Sequence, residues 1–244
     1  MRKLLNTLYV TQPDTYLALD GENVVVRKDD AELIRLPLHN LEGIVTFGYT
    51  GASPALMGAC ASYGIDLSFF TANGRFLARV MGEVKGNVLL RHRQHQLYDD
   101  ENESLAIAKN MIAGKIYNAR WVLERTLRDH EMRVDTSILK ATSLALKQSI
   151  NAAYESTDLE QLRGVEGNAA ERYFSVFNQL ILHNKEFFAF NGRNRRPPLD
   201  PINALLSFVY MLLVKETTSA LESVGLDPYV GFLHRIRPGR TSLA

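Results

Sequence analysis

The 244-residue chain carries 28 Lys and Arg against 27 Asp and Glu. A formal net charge of +1 excludes a global field that would draw it to nucleic acid, so any such binding must come from local clusters. A 46% hydrophobic content suffices for one large core or two small ones. The single cysteine, Cys60, excludes an intrachain disulfide and points to a reducing cytoplasm.

The N-terminus, Met1-Arg2-Lys3-Leu4-Leu5-Asn6, opens like a signal peptide, but the apolar run breaks at Asn6 and Thr7 without a cleavage pattern. Residues up to about 95 read mostly as β. Thr15–Leu19 and Val24–Val26 flank Asp20-Gly21, a hairpin signal. Gly43–Phe47 reads as a short buried strand. Ser53-Pro54 opens a short helix that ends at Gly64. Ile65–Phe70 and Arg75–Val80 flank Asn73-Gly74, the strongest hairpin signal of the chain. The apolar surroundings of Cys60 mark a packed thiol.

The acidic stretch Asp99–Glu103 marks a change to helical patterning. Ser104 is expected to cap a long helix bearing Leu105, Ala108, Ile112, Ile116, Ala119 and Leu123, with Trp121 in its core. Asp135 caps a second, running to about Tyr154. A third is predicted from Asp158 to about Leu182, with Thr157 as N-cap and Glu160 completing a capping box. A fourth starts at Asp200-Pro201 and ends near Gly225, its Leu205, Phe208, Val209 and Leu212 packing as an ordinary stripe. The longest apolar run, Ala204–Val214, falls short of the ~20 residues that span a bilayer. The expected architecture is α+β. A β-rich domain at 1–97 is joined to an all-helical domain at 98–244.

Glu166 interrupts the apolar stripe of the third helix, which is formed by Leu159, Leu162, Ala169, Ala170, Tyr173, Phe177 and Leu180. A carboxylate facing a core needs a partner cation, a metal or a proton. An arginine from a neighbouring helix and a metal ion both satisfy it. Gly164 and Gly167 each cost about 1 kcal/mol inside a helix and suggest close approach to the backbone. Tyr173, on the same face, could orient a site, stack on a base or pack in the core.

The segments Gly164–Ala170, Arg193–Phe208 and Gly225–His234 follow one another in an order that strongly resembles the CRISPR-associated endonuclease/integrase family, the universal subunit of the CRISPR adaptation complex. The resemblance covers the helical half from about Lys109. It implies that Glu166 and His234 bind Mg²⁺ or Mn²⁺ together with a third, acidic ligand. One carboxylate and one imidazole suit such hard-to-borderline cations. It further implies a 3′-hydroxyl attack on a repeat phosphodiester, which inserts a short captured DNA into a CRISPR repeat array. The implied partners are double-stranded DNA with single-stranded ends, CRISPR repeat DNA, a second copy in a homodimer, and a small ferredoxin-like adaptation subunit. The single cysteine and the short apolar runs, in turn, lead to the expectation of a soluble cytoplasmic protein with no membrane association.

Arg193, Arg195 and Arg196 form one basic cluster; Arg235, Arg237 and Arg240 form another, with no acid from Gly231 onward. Both lie beside the Glu166 and His234 motifs, and phosphate contact is their expected role, with Tyr173 as a further DNA contact. A third basic stretch, Arg75 to His95, reads equally well as a solvated face. The sequence stops after Arg240-Thr241-Ser242-Leu243-Ala244, before the acidic segment that carries the family's third ligand. Two further readings follow: a DNA-binding scaffold without activity in this form, and a metal nuclease acting on branched DNA in repair.

Overall fold

The computed structural model describes residues 6–29, 31–82, 87–195 and 197–244. By internal contacts the chain divides into two compact units, Met1–Lys85 and Gly86–Ala244. Residue 97 falls inside a helix of the second unit, Val88–Asp99.

The first unit contains β1 (Thr7–Val10), β2 (Tyr16–Asp20), β3 (Asn23–Lys28), β4 (Ala31–Pro37), β5 (Gly43–Phe47), β6 (Gly51–Ala52), α1 (Pro54–Tyr63), β7 (Asp66–Phe70) and β8 (Phe76–Val80). They make two four-stranded sheets, ordered β1-β5-β7-β8 and β4-β3-β2-β6. The Asp20-Gly21 hairpin forms as expected, pairing Asp20 with Asn23 and Leu17 with Val26. Gly74 adopts φ +79° in the turn between β7 and β8, a conformation that glycine reaches without a Cβ clash. The Ser53 hydroxyl accepts the Leu56 N–H at 3.2 Å, and Gly64 ends α1 in the left-handed region. Leu17, Val24, Ile44, Leu56, Cys60 and Leu67 fill the core. Burial pushes the Cys60 thiol up to about 11, with Asp66 adding to the shift. Cys60 is therefore the packed thiol its neighbours suggest.

The second unit contains α2 (Val88–Asp99), α3 (Glu101–His130), α4 (Thr136–Glu155), α5 (Leu159–Ser175), the single-turn α6 (Phe177–Leu180) and α7 (Pro201–Ser223). Asn87, Asp100, Asp135, Asp158 and Asp200 cap five of these helices, each through a side-chain oxygen that accepts a backbone N–H. Two expected caps are corrected. Asp100 caps α3, while Ser104 sits in its first turn and donates to the carbonyls of Leu97 and Tyr98. Asp158 caps α5, while Thr157 Oγ1 contacts Gln161 instead. In both cases an Asp stands closer to the helix start and offers a stronger acceptor. The third helix also stops at Ser175 rather than Leu182, and the chain re-forms as α6 after Val176.

The core of this unit is built by Leu105, Ala108, Ile112, Ile116 and Leu123 of α3, Leu139 and Leu146 of α4, and Leu159 and Leu162 of α5. Trp121 is outside it: the ring is half exposed and stacks on Tyr117 with centroids 6.1 Å apart. α7 departs from its reading as an ordinary packed helix. Leu205 and Val209 are 52% and 50% exposed. The helix continues past Lys215 to Ser223 and is, by length and composition alone, long and apolar enough to cross a membrane.

Candidate active site

Glu166 lies midway along α5, one turn beyond the fully buried Leu162. Its side chain is 22% exposed and forms an ion pair with Lys115 of α3, itself 56% exposed. The partner cation is thus a lysine at the edge of the core, where an arginine is one of the two expectations. Gly164 and Gly167 are exposed, and a Cβ on either would meet nothing within 4 Å. Among the described residues none presses on the backbone there. The glycines leave the helix surface around Glu166 bare.

His234 follows the irregular segment Gly225–Leu233. Several contacts hold that segment. Gln94 of α2 donates to the carbonyls of Asp227 and Val230 at 2.8 and 2.9 Å and accepts the Asp227 N–H at 2.8 Å. Arg91 Nε donates to Gly225 O at 3.3 Å, and Arg163 of α5 donates to Leu233 O at 2.9 Å. Val230, Gly231, Phe232 and Leu233 are buried. Gly231 has the tightest surroundings of the segment, because a Cβ there would stand 2.2 Å from the Ser242 carbonyl oxygen.

The half-buried His234 imidazole is held below the ordinary histidine value by burial first, then by the positive charge of Arg240. Glu166 acts in the opposite direction, while Arg163 and Lys115 lower it further. Glu166 and His234, remote in sequence, therefore share one electrostatic environment between α5 and the post-α7 segment. The sign for stability follows from the depressed folded value. Above the unfolded value of about 6.5 both states carry a neutral ring and the group contributes nothing. As pH falls through that value the unfolded chain takes the proton first, and stability is lost until the folded value is passed. Imidazole proton shifts should titrate with a midpoint below about 6.5, and Glu166→Gln should move that midpoint further down. A midpoint at or above the ordinary value would remove the shared environment.

The two basic clusters are uneven. Arg193 is committed to its own loop: it donates to Asn203 Oδ1 at 2.8 Å and lies 5.6 Å from the Tyr210 ring centroid. Arg195 is exposed on the rim of a cavity of about 460 Å³ whose wall includes Phe174 and Phe190. Arg196 lies outside the described residues. Arg235 pairs with Glu101 at 2.7 Å and sits over Tyr98, whereas Arg237 and Arg240 are exposed. Tyr173 makes edge contacts with Phe174 and Phe177, and burial raises its hydroxyl to about 12. Of the third basic stretch, Arg75 and Arg79 belong to the first unit and Arg91 and Arg93 to the second.

Among the described residues no three of His, Cys, Asp and Glu converge as a metal-binding group. Lys115, Arg163 and Gln94 stand around Glu166 and the His234 segment without any sequence signal. Only long-range packing brings them there.

Comparison with known proteins gives a consistent picture. The family described as "CRISPR associated protein Cas1" matches residues 8–244. The CRISPR-associated endonuclease Cas1 1 of Chlorobaculum tepidum is 49% identical over 244 residues, covering 100% of this chain and 71% of the relative. The CRISPR-associated endonuclease Cas1 2 of Rhodospirillum rubrum is 50% identical over 252 residues, again covering 100% of this chain and 71% of the relative. Among solved structures, a chain of the Cas6-RT-Cas1–Cas2 complex superimposes with a TM-score of 0.73 at 27% identity, covering 100% of this chain and 26% of that one.

Proposed function

The chain belongs to the CRISPR associated protein Cas1 family, and from that premise we propose that it is a metal-dependent nuclease and integrase of CRISPR adaptation whose working pair is Glu166 and His234. The observation that carries this reading is that Arg163 of α5, three residues before Glu166, donates to the carbonyl of Leu233 at 2.9 Å and so ties the segment bearing His234 to the helix bearing Glu166. Their donor atoms fit Mg²⁺ or Mn²⁺: a partly exposed carboxylate whose partner is a half-exposed lysine, and an imidazole whose burial disfavours the protonated form. A divalent cation there would polarise a DNA phosphate and stabilise the oxygens that attack and leave. Glu166 and His234 would supply two of the donors to such a cation, and substrate phosphate could enter the remainder of its shell.

The residues of the chain perform the remaining tasks. Glu166 supplies the anionic charge, and Lys115, its partner, is free to turn toward a phosphate once a cation takes its place. The bare surface at Gly164 and Gly167 lets a strand approach α5. Arg195, Arg237 and Arg240 meet the backbone of DNA with single-stranded ends and of the repeat. Arg193 and Arg235 shape the loops that present them. The proposed setting is a cytoplasmic homodimer working with a small ferredoxin-like adaptation subunit. Cleavage of branched DNA and strand transfer into repeat DNA should both stop when EDTA is added and resume with excess Mn²⁺; EDTA-resistant cleavage would end the metal reading.

The clusters make a separate prediction. Removing Arg195, Arg237 and Arg240 together should weaken DNA binding alike for all sequences. The log–log salt slope should become shallower by about 0.9 for each phosphate no longer neutralised. Arg193→Ala should instead lower the melting temperature, because its guanidinium partners are within the chain. A salt slope unchanged by the triple substitution would rule out backbone contact by these three.

A further inference from the structure

We infer that Gln94 is a positioning residue for His234, fixing through its side-chain amide the segment that carries the imidazole. The inference rests on the proposed Glu166–His234 pair. Gln94 is 2% exposed and is the buried residue of α2. That position on an amphipathic helix is ordinarily apolar, and a buried primary amide is costly unless its donors and acceptor are matched. Here they are. Both N–H groups donate, to Asp227 O and Val230 O, and the amide oxygen accepts the Asp227 N–H. The planar fork of the amide therefore grips both ends of the Asp227–Val230 turn.

The turn needs this grip. Gly225–Leu233 has neither helix nor strand to satisfy its backbone. From Val230 the chain runs through Gly231, Phe232 and Leu233, all buried, directly into His234. A shift at Val230 has no exposed residue in which to dissipate before the imidazole. Arg163 fixes the far end at Leu233 O, so the chain leading into His234 is held from α2 and from α5. Gln94 carries no charge, which separates its effect from that of Arg163 and Arg240 on the imidazole.

Groups that hydrogen-bond a metal ligand directly typically contribute ~10–100-fold in affinity, and Gln94, acting on His234 through the backbone, belongs at the low end of that range. The test measures Mn²⁺ affinity by electron paramagnetic resonance in the full chain, with a duplex bearing single-stranded ends bound. Folding is checked by circular dichroism. Gln94→Met should weaken Mn²⁺ binding by about tenfold or more, and should add nothing in the His234→Ala background. Gln94→Glu keeps length and the acceptor for the Asp227 N–H but loses donors, and it decides the matter should Gln94→Met not fold. Unchanged Mn²⁺ affinity in a folded Gln94 variant, or an equal further loss in the His234→Ala background, would overturn the positioning role. Unchanged affinity in His234→Ala alone would overturn the metal pair, and this inference with it.

Discussion

Glu166→Gln should reduce DNA cleavage and strand transfer to background while changing stability by less than about 1 kcal/mol. The two halves of this expectation come from different facts. The expected loss of activity rests on the proposed role of the carboxylate as an anionic oxygen donor, because an amide of the same shape binds divalent cations far less well. The stability is insensitive because the partner of Glu166 is Lys115, 56% exposed, which water solvates once the charge is gone. Breaking a fully buried pair would instead cost about 3–5 kcal/mol. Thermal melting and a Mn²⁺-dependent strand-transfer assay on the same preparation separate the cases. Activity near that of the unaltered chain would end the metal-donor assignment. A melting temperature lower by more than about 8 °C, worth over 2 kcal/mol in a chain of this size, would show that the Lys115 pair is structural.

The sequence disclosed the elements whose signals are local. The Asn73-Gly74 and Asp20-Gly21 hairpins, the Ser53-Pro54 helix start and the Asp135 and Asp200 caps all rest on residues within four positions of one another, and all are present. The elements that escaped lack such signals. β4 has no apolar alternation, because Ala31–Arg35 are exposed along the sheet edge and pair only with β3. α2 buries a glutamine where periodicity would look for an aliphatic residue, so its stretch passed as part of the β-rich half. Asp100 capped α3 ahead of the expected Ser104 because the polar run that suggested a linker is itself the helix start.

The candidate site was legible in part. Glu166 stood out because a charge broke a periodic apolar stripe, and His234 because its motif followed two others in the family's order. The supporting groups left no trace in the sequence. Lys115 lies fifty-one positions from Glu166, Gln94 is more than a hundred positions from the backbone it holds, and only the packed second unit brings them together. The division of labour among the arginines was equally hidden. Arg193 and Arg195 look alike in sequence, yet one is spent on Asn203 and Tyr210 and the other is exposed.

Leu162→Ala should destabilise the chain by about 2–5 kcal/mol, the largest stability effect expected of a single substitution near the site. Leu162 is 0% exposed and lies in the core that α3, α4 and α5 build together. Truncation leaves a cavity that three long helices cannot close, because each is pinned elsewhere by its own cap and aliphatic row. Leu162 precedes Glu166 by one turn of α5, so the two side chains occupy one face of the helix and differ in depth. The substitution removes packing without touching a donor atom. Urea unfolding should show a lower midpoint at unchanged m-value, while Mn²⁺ affinity measured well below the transition stays as in the unaltered chain. The opposite outcome, a normal midpoint with abolished Mn²⁺ binding, would mean that α5 shifts as a body to fill the space, and that the site depends on the depth of the helix rather than on its exposed residues.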